Sequence, residues 1–158
     1  MARTPADTAP ASTSRRQVLA AGLGLGATVW VRPAPALEGE LDGAIRAFAN
    51  GVPVRQGKVT LEVAALVENG NTVPISVSVD SPMPREAYVK TIAVFNERNP
   101  QREVAIFHLG PRTGRATVST RIRLATSQRL AAVARLSDDT LWSHTVEVIV
   151  TLAGCVEG

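Results

Sequence analysis

Hydrophobic and polar residues alternate along most of the chain in short runs, and this pattern predicts a protein built mainly of β-strands. The clearest run is Ile75-Ser76-Val77-Ser78-Val79, in which apolar residues would face a core and serines would face water. Similar runs rich in Val, Ile, Thr and Leu are separated by turn-forming residues. The predicted strands comprise residues 59–67, 73–80, 89–96, 103–109, 115–124, 129–137 and 143–152.

A short helix is predicted before the first strand. Within residues 38–50, Leu41, Ile45 and Phe48 recur at helical spacing, and Gly51 follows as a stop signal. The helix and the short strands, with few aromatic residues, predict an all-β protein. We expect an immunoglobulin-like antiparallel β-sandwich of about seven strands, with a short N-terminal helix and a mobile C-terminal arm.

Turn residues between the predicted strands support this fold. Residues 69–71 (Asn-Gly-Asn) tolerate positive φ, Asn99-Pro100 favours a turn, and residues 137–139 (Ser-Asp-Asp) can bond their own backbone. Within the predicted strand at residues 129–137, the segment 131–134 (Ala-Ala-Val-Ala) also suits a helix.

Residues 1–36 have the pattern of an export signal. Paired Arg15 and Arg16 precede an apolar run at residues 18–31, and residues 34–36 (Ala-Pro-Ala) suit a signal peptidase. The paired arginines predict the twin-arginine route and a periplasmic location. A bilayer-spanning helix needs roughly 20 apolar residues, so a cleaved signal is favoured over a membrane anchor. A disordered N-terminal tail would not explain the apolar run.

The charge of the chain resides in this predicted signal. The whole sequence has 17 basic and 14 acidic residues, and residues 37–158 contain 13 of each. Without a net charge, the exported part has nothing to attract nucleic acid or an anionic membrane. Its length suits one domain, at residues 37–152, followed by a C-terminal arm at residues 153–158.

Few residues in the sequence are placed for catalysis or metal binding. His108 and His144 have no partner at metal-ligand spacing. Asp138 and Asp139 are adjacent at a predicted turn, where they would be solvated rather than face one substrate. Nucleophile elbows, phosphate loops and dinucleotide fingerprints are absent from the sequence. No catalytic residue, metal site or cofactor is therefore predicted.

Cys155 is the single cysteine of the sequence and is the fourth residue from its end. An unpaired cysteine in an oxidising compartment can oxidise or cross-link, so its presence there suggests use. A thiol on a terminal arm could enter a pocket that the globular domain cannot. The alternatives from position alone are a buried residue of the last strand or an incidental residue of a frayed tail.

The residues resemble one known family along nearly the whole exported chain. The matching pieces, in order, are residues 68–74 (ENGNTVP), 81–83 (SPM), 99–100 (NP), 119–142 (STRIRLATSQRLAAVARLSDDTLW) and 148–151 (VIVT), followed by the cysteine near the end. On these pieces the chain resembles the SoxY family, the sulfur carriers of thiosulfate oxidation.

The resemblance implies a carrier rather than an enzyme. It implies a heterodimer with a SoxZ-like protein and sulfur intermediates held covalently on Cys155. A haem enzyme would conjugate thiosulfate to the thiol, a hydrolase would release sulfate, and a dehydrogenase would oxidise the remaining sulfur. The adduct on Cys155 takes the place of a cofactor.

The predicted arm departs from the family pattern. SoxY arms usually read Gly-Gly-Cys-Gly-Gly, whereas this chain has Ala153, Gly154, Cys155, Val156, Glu157 and Gly158. The ending is more similar to SoxY-related variants with an Ala-Ala-Cys-Ile-Glu arm. Val156 restricts the backbone, and Glu157 brings a carboxylate near an anionic adduct.

Two other functions remain open from the sequence. The chain could be an interaction module that docks a SoxZ-like or redox partner, with Cys155 vestigial or in an intermolecular disulfide. A thiol peroxidase would need a resolving thiol or a nearby base, and the sequence offers neither a second cysteine nor an identifiable histidine partner for Cys155.

Overall fold

The computed structural model describes residues 39–152. The predicted signal at residues 1–36 and the predicted arm at residues 153–158 lie outside the described residues and stay predictions. The described part begins with helix α1, Gly39–Ala49, which matches the predicted helix closely. Within residues 39–152, helix α1 and the other helical segment are too short, or too polar, to cross a bilayer.

The strands follow helix α1 and form two sheets. The sheet strands are β1 Val54–Gln56, β2 Val59–Glu62, β3 Leu66–Asn69, β4 Val73–Val79, β5 Val89–Asn96, β6 Glu103–His108, β7 Thr117–Ile122, β8 Gln128–Leu136 and β9 Leu141–Leu152, with a 3₁₀ turn at Pro111–Thr113 between β6 and β7. The larger sheet has the order β1-β9-β8-β5-β6, with β3 also paired to β9, and the smaller sheet has the order β2-β4-β7. This arrangement confirms the all-β sandwich.

The predicted strand at residues 59–67 is wrong as a single strand. The chain forms β2 in the smaller sheet, leaves it near Ala64, and joins the larger sheet as β3. Strand β1 was not predicted because Val54–Gln56 is short and mostly polar. Strands β1 and β3 both pair with β9 in parallel, and the remaining pairs are antiparallel.

Residues 131–134, whose sequence also suits a helix, lie within strand β8 as predicted and are fully buried. Strand β8 lies at the centre of the larger sheet, between β5 and β9. Ala131 and Val133 pack under helix α1, whereas Ala132 and Ala134 face the smaller sheet. A strand covered on both faces is apolar at every position, so the sequence shows no alternation there.

The core accordingly has two layers. The larger layer lies between the sheets and includes Val77, Ile92 and Leu130. The smaller layer lies between the larger sheet and helix α1, where Leu41 and Phe95 are almost completely buried. The ring of Phe48 meets that of Phe95 edge to face, with centroids 5.6 Å apart. The Glu40 carboxylate also pairs with Arg102, which ties helix α1 to the chain just before β6.

The predicted turns are present, with one difference in mechanism. Residues 69–71 are not among the residues with positive φ; instead the Asn69 Oδ1 accepts a hydrogen bond from the backbone N–H of Asn71 at 2.9 Å. At the turn before β9, Asp138 Oδ1 accepts from the backbone N–H of Thr140 at 3.0 Å, and Asp139 has a φ of 63°. Asparagine and aspartate thus close these turns with their side chains.

Candidate functional site

The structure describes the chain up to the residues that immediately precede the predicted arm. Cys155, the predicted sulfur attachment residue, lies outside the described residues, as do Ala153, Gly154, Val156, Glu157 and Gly158. The last described residue is Leu152, which ends β9. We call the surroundings of residues 149–152 the arm root.

Strand β3 holds one edge of the arm root. The paired residues are Leu66 with Ile149, Val67 with Val150 and Asn69 with Leu152. The backbone N–H of Gly70 donates to the carbonyl of Leu152 at 2.9 Å. The backbone of β9 is therefore hydrogen-bonded up to Leu152, its final residue.

A serine side chain holds the other edge of the arm root. Strand β8 pairs with β9 only as far as Gln128, opposite Val148. Beyond that pair, the backbone N–H of Val150 donates to the Ser127 Oγ at 2.9 Å. The Ser127 hydroxyl in turn donates to the Val150 carbonyl at 3.4 Å. One hydroxyl thus extends the ladder where strand β8 has not yet begun.

A polar network braces the loops beside the arm root. The Asn99 Oδ1 accepts hydrogen bonds from the backbone N–H of Ala125 at 3.0 Å and from Gln128 Nε2 at 2.8 Å. The Asn99 Nδ2 donates to the Arg123 carbonyl at 2.7 Å. Gln128, only 3% exposed, also accepts from the backbone N–H of Arg98 at 2.8 Å. These bonds tie the β5–β6 loop to the β7–β8 loop.

An ion pair lies next to this network. The Glu97 carboxylate accepts from Arg129 Nη2 at 2.9 Å and from the Arg129 backbone N–H at 3.1 Å. Glu97 is 7% exposed. The hydrogen bond from the Arg129 side chain lowers the pKa of Glu97 below its ordinary value, although burial acts in the opposite direction. The carboxylate is therefore held ionised at the end of β5.

The arm root carries an apolar surface. Three large hydrophobic side chains of residues 39–152 are notably exposed, namely Leu66 at 59%, Ile149 at 55% and Leu152 at 66%. All three belong to the β3–β9 pair. Leu66 and Ile149 lie side by side on the face of the larger sheet opposite the smaller sheet, because their neighbours Val67 and Val150 pack into the inter-sheet core. We call Leu66 and Ile149 the apolar pair.

The other predicted candidates have structural roles. His144 Nδ1 accepts a hydrogen bond from the backbone N–H of Leu61 at 2.9 Å, whereas His108 is exposed at the end of β6. Asp139 pairs with Lys90 at 2.9 Å. A hydrogen bond from the Thr140 hydroxyl lowers the pKa of Asp138. Within the described residues, no group of three His, Cys, Asp or Glu side chains could hold a metal ion.

Sequence reasoning missed the residues that build the arm root, although a signal for the apolar pair was present. In residues 59–67 the buried apolar residues occupy odd positions, and Leu66 is out of phase with them. In the second half of β9, Val146, Val148 and Val150 face the inter-sheet core, and Ile149 is again out of phase with them. An apolar residue in the outward phase of a strand predicts an exposed contact surface. Ser127 carries no comparable signal.

The chain is similar to known proteins both in sequence and in fold. The family described as "Sulfur oxidation protein SoxY" matches residues 45–155. No curated protein sequence matches the chain. The sulfur carrier protein SoxY from Chlorobium limicola f thiosulfatophilum has a similar structure, with a TM-score of 0.61 and 29% sequence identity over 72% of this chain and 98% of that one.

Other solved structures share the fold at lower sequence identity. The superoxide reductase (neelaredoxin) from Ignicoccus hospitalis aligns with a TM-score of 0.53 and 19% identity, over 60% of this chain and 80% of that one. The superoxide reductase from Nanoarchaeum equitans aligns with a TM-score of 0.52 and 12% identity, over 61% of this chain and 100% of that one. At these identities the likeness shows the fold alone.

Proposed function

Because this chain belongs to the SoxY family, we propose that it is a non-catalytic sulfur carrier that holds its cargo covalently on Cys155. The observation that carries the proposal is the family match over residues 45–155, which extends to the cysteine. The similar protein from Chlorobium limicola is named a sulfur carrier. The predicted twin-arginine signal at residues 1–36 supports work in the periplasm, where a single cysteine has no internal partner.

The arm root suits the task of a carrier. Hydrogen bonds to Gly70 and Ser127 fix β9 at Leu152 and Val150. Cys155 follows three residues later, and three extended residues reach about 10 Å. A rigid origin combined with a short tether would present the thiol at a defined place while keeping it outside the folded body. This geometry would let a partner enzyme receive the thiol in a narrow pocket.

The proposed cargo is thiosulfate-derived sulfur. The Cys155 thiol and thiosulfate would form a sulfur–sulfur bond, releasing the thiol proton and two electrons to a haem enzyme. Water would then attack the terminal sulfonate, so that sulfate leaves and a persulfide stays on Cys155. A dehydrogenase would oxidise that outer sulfur further. In every step the chain supplies the attachment atom, and the partners supply the oxidant or the hydrolytic machinery.

We further propose that a SoxZ-like protein covers the apolar pair. Leu66 and Ile149 are both more than half exposed and adjacent in register. Covering such side chains is favourable, at roughly 25 cal/mol per Å² of apolar surface. Because the apolar pair belongs to the arm root, a partner bound there would lie close to the tethered thiol and could shape its approach to the enzymes.

The carrier proposal is tested by intact-mass spectrometry of the protein purified from its native cells without reductant. We expect a sulfur-containing mass increment on the wild-type chain that disappears on reduction and is absent from Cys155→Ser. The mass would identify the cargo. An unmodified thiol during growth on thiosulfate would contradict the proposal.

Docking of the SoxZ-like partner is tested separately by co-purification. We expect Leu66→Ser combined with Ile149→Ser to weaken the heterodimer at least tenfold, because both apolar side chains lose their contact surface. Thr60→Ser, on the exposed face of the smaller sheet, serves as the matched control. Unchanged affinity of the double variant would place the interface elsewhere.

The exposed apolar pair also favours a second function, the interaction module. In that case the sandwich docks a partner through Leu66 and Ile149, and Cys155 is dispensable or forms an intermolecular disulfide. Cys155→Ser separates the two functions, because it would abolish sulfur oxidation by a carrier and would leave the activity of an interaction module intact.

A further inference from the structure

We propose that the free edge of β7 is a docking site for an extended, acidic segment of a partner protein, which adds to the smaller sheet as an antiparallel fourth strand. This inference does not depend on the carrier function and concerns a different surface from the apolar pair. It rests on the backbone pattern of β7, on the charges around it and on the open margin of the core beneath it.

Strand β7 ends the smaller sheet, whose order is β2-β4-β7. The backbone N–H of Val79 donates to the Ala116 carbonyl at 2.9 Å. Hydrogen-bonded and non-hydrogen-bonded pairs alternate in an antiparallel ladder. In steps of two residues from Ala116, the backbone groups of Val118 and Thr120 are hydrogen-bonded to β4 as well. The backbone N–H and carbonyl groups of the residues between them point away from the sheet. The outward-pointing residues are Thr117, Ser119 and Arg121.

Pro74 independently supports this assignment. It lies opposite Arg121 in the register between β4 and β7. Proline has no N–H and cannot belong to a hydrogen-bonded pair, so the pair of Pro74 and Arg121 must be non-hydrogen-bonded. The N–H and carbonyl of Arg121 consequently face the open edge. An extended segment aligned with β7 would thus meet a row of backbone donors and acceptors.

The margin of the core at this edge is open as well. Strands β9 and β2 meet on the opposite side of the sandwich through the His144–Leu61 bond, so β6 and β7 end their sheets on the same side. Val104, Phe107 and Val118 pack against the inter-sheet core there and stay only partly buried. The inward side chains of an added strand would cover them. Apolar residues are therefore expected at alternate positions of the partner.

The charges select an acidic partner. The sequence from Val104 to Ser137 contains no aspartate or glutamate. Four exposed arginines lie in this stretch, namely Arg112, Arg115, Arg121 and Arg123.

The two arginines at the end of β7 have no acidic neighbour on β4. In the continued register Arg115 lies opposite Asp80, but Arg121 lies opposite Pro74, which offers no charge. Among the described residues, neither Arg121 nor Arg123 forms an ion pair. Glu62 lies on the same outward face of the smaller sheet as Arg121, but it belongs to β2, which is two strands away from β7.

The same charges disfavour a second copy of this chain. If two β7 strands paired antiparallel around Ser119, Arg115 of each copy would face Arg123 of the other. Like charges directly opposite each other destabilise a strand pair. Charged side chains at sheet edges are a common protection against such self-association. A glutamate-bearing strand reverses the sign of the interaction at these positions.

The outward face beside β7 has room for the partner's polar side chains. A shallow depression of about 560 Å³ lies over the smaller sheet and is lined by Ser76, Ser119, Arg121 and Glu62, among others. The hydroxyls of Ser76 and Ser119 are 3.0 Å apart. Small hydroxyl side chains leave the arginine head group accessible. A carboxylate on the outward side of the added strand would meet Arg121 there.

The experiment measures binding of a fluorescently labelled ten-residue peptide of alternating valine and glutamate to the full chain by fluorescence anisotropy. The central comparison is between Ser119→Pro and Ser119→Ala. Both lose the Ser119 hydroxyl, but only proline loses the outward N–H, and proline is tolerated on an edge strand when its N–H side faces solvent. We expect Ser119→Ala to bind like the wild type and Ser119→Pro to bind at least tenfold more weakly.

Two further measurements keep the proposal falsifiable if Ser119→Pro does not fold. Arg121→Glu combined with Arg123→Glu should weaken binding of the valine–glutamate peptide at least tenfold. The same double variant should bind a ten-residue peptide of alternating valine and lysine better than the wild type does. Strand addition uses the backbone N–H groups along only one edge of the peptide. Of two peptides, one N-methylated at all valines and the other N-methylated at all glutamates, the wild-type chain should therefore not bind both.

Three results would overturn the proposal. Equal affinity of Ser119→Pro and Ser119→Ala would show attraction by charge alone. Absence of binding to the wild-type chain would remove the docking site. A dimer of the chain that Ser119→Pro dissociates would make a second copy the occupant of the edge.

Discussion

The Nδ1 atom of His144 accepts a hydrogen bond from the backbone N–H of Leu61, and this bond joins the two sheets of the sandwich. His144 lies in β9 of the larger sheet, and Leu61 lies in β2 of the smaller one. Strands β1 and β3 pair with β9 at residues 141–143 and 149–152. His144 therefore contacts the smaller sheet from the stretch of β9 that pairs with neither β1 nor β3.

Removing this bridge should destabilise the protein. Leu61 is 3% exposed, so His144→Ala leaves a buried N–H without a partner, at a cost of about 1 to 3 kcal/mol. His144→Asn should retain most of the stability, because the Asn Oδ1 can occupy nearly the position of Nδ1. Urea denaturation measures both variants. Equal destabilisation by alanine and asparagine would show that packing, rather than the hydrogen bond, is lost.

The Glu97–Arg129 pair should make stability depend on pH. Because the Arg129 hydrogen bond lowers the pKa of Glu97 in the folded chain, the folded state releases this proton more readily than the unfolded state does. The stabilisation is complete above the pKa of the unfolded state, near the ordinary value of 4.5. It is lost as the pH falls from there through the lower pKa of the folded state.

Glu97→Gln isolates this contribution. We expect the variant to be less stable than the wild type by about 1.5 to 3 kcal/mol at neutral pH, the range for hydrogen bonds to charged groups. The difference should shrink as the pH falls below the unfolded-state value. Unfolding free energies from urea titrations at several pH values measure it. A difference that stayed constant with pH would mean that the charge of Glu97 contributes nothing.

The network around Asn99 should be sensitive to the loss of either of its polar atoms. Asn99→Ala removes the partner of Gln128 Nε2 and of the Ala125 N–H, and we expect a loss of about 2 kcal/mol. Asn99→Asp keeps an acceptor for both groups but loses the donor to the Arg123 carbonyl. Thermal unfolding should rank the wild type above aspartate and aspartate above alanine. If alanine equals the wild type, solvent satisfies these loops.

Loss of the Ser127 hydroxyl should loosen the arm root without unfolding the sandwich. In Ser127→Ala the backbone N–H of Val150 loses its acceptor, so its amide should exchange with solvent at least several-fold faster. The Gly70 amide, on the opposite edge of β9, should change less. Ser78→Ala, on the smaller sheet, is the matched control. Hydrogen exchange followed by NMR gives both rates, and an unchanged rate at Val150 would contradict the role of Ser127.

Much of the fold could be predicted from local pattern, and the failures have a physical cause. Strand β4 alternates because one face is buried and the other is wet. Strand β8 does not alternate, since helix α1 and the smaller sheet cover its two faces. Residues 59–67 look like one strand because Leu61 and the three valines keep a single phase across the Ala64-Ala65 step, although Leu66 lies out of phase with them. Their division between two sheets is a matter of pairing, which periodicity does not encode.

The sequence by itself determined the strand-rich composition, the helix, the export-signal pattern, the single cysteine and the resemblance to the SoxY family. These features depend on residues close together in the chain. Only the tertiary structure decided that β3 and Ser127 hold the arm root, that His144 bridges the sheets, and that β7 keeps a free edge. Each of these depends on hydrogen bonds or missing neighbours between segments far apart in sequence, such as Leu61 and His144, and no local pattern specifies which strands become neighbours.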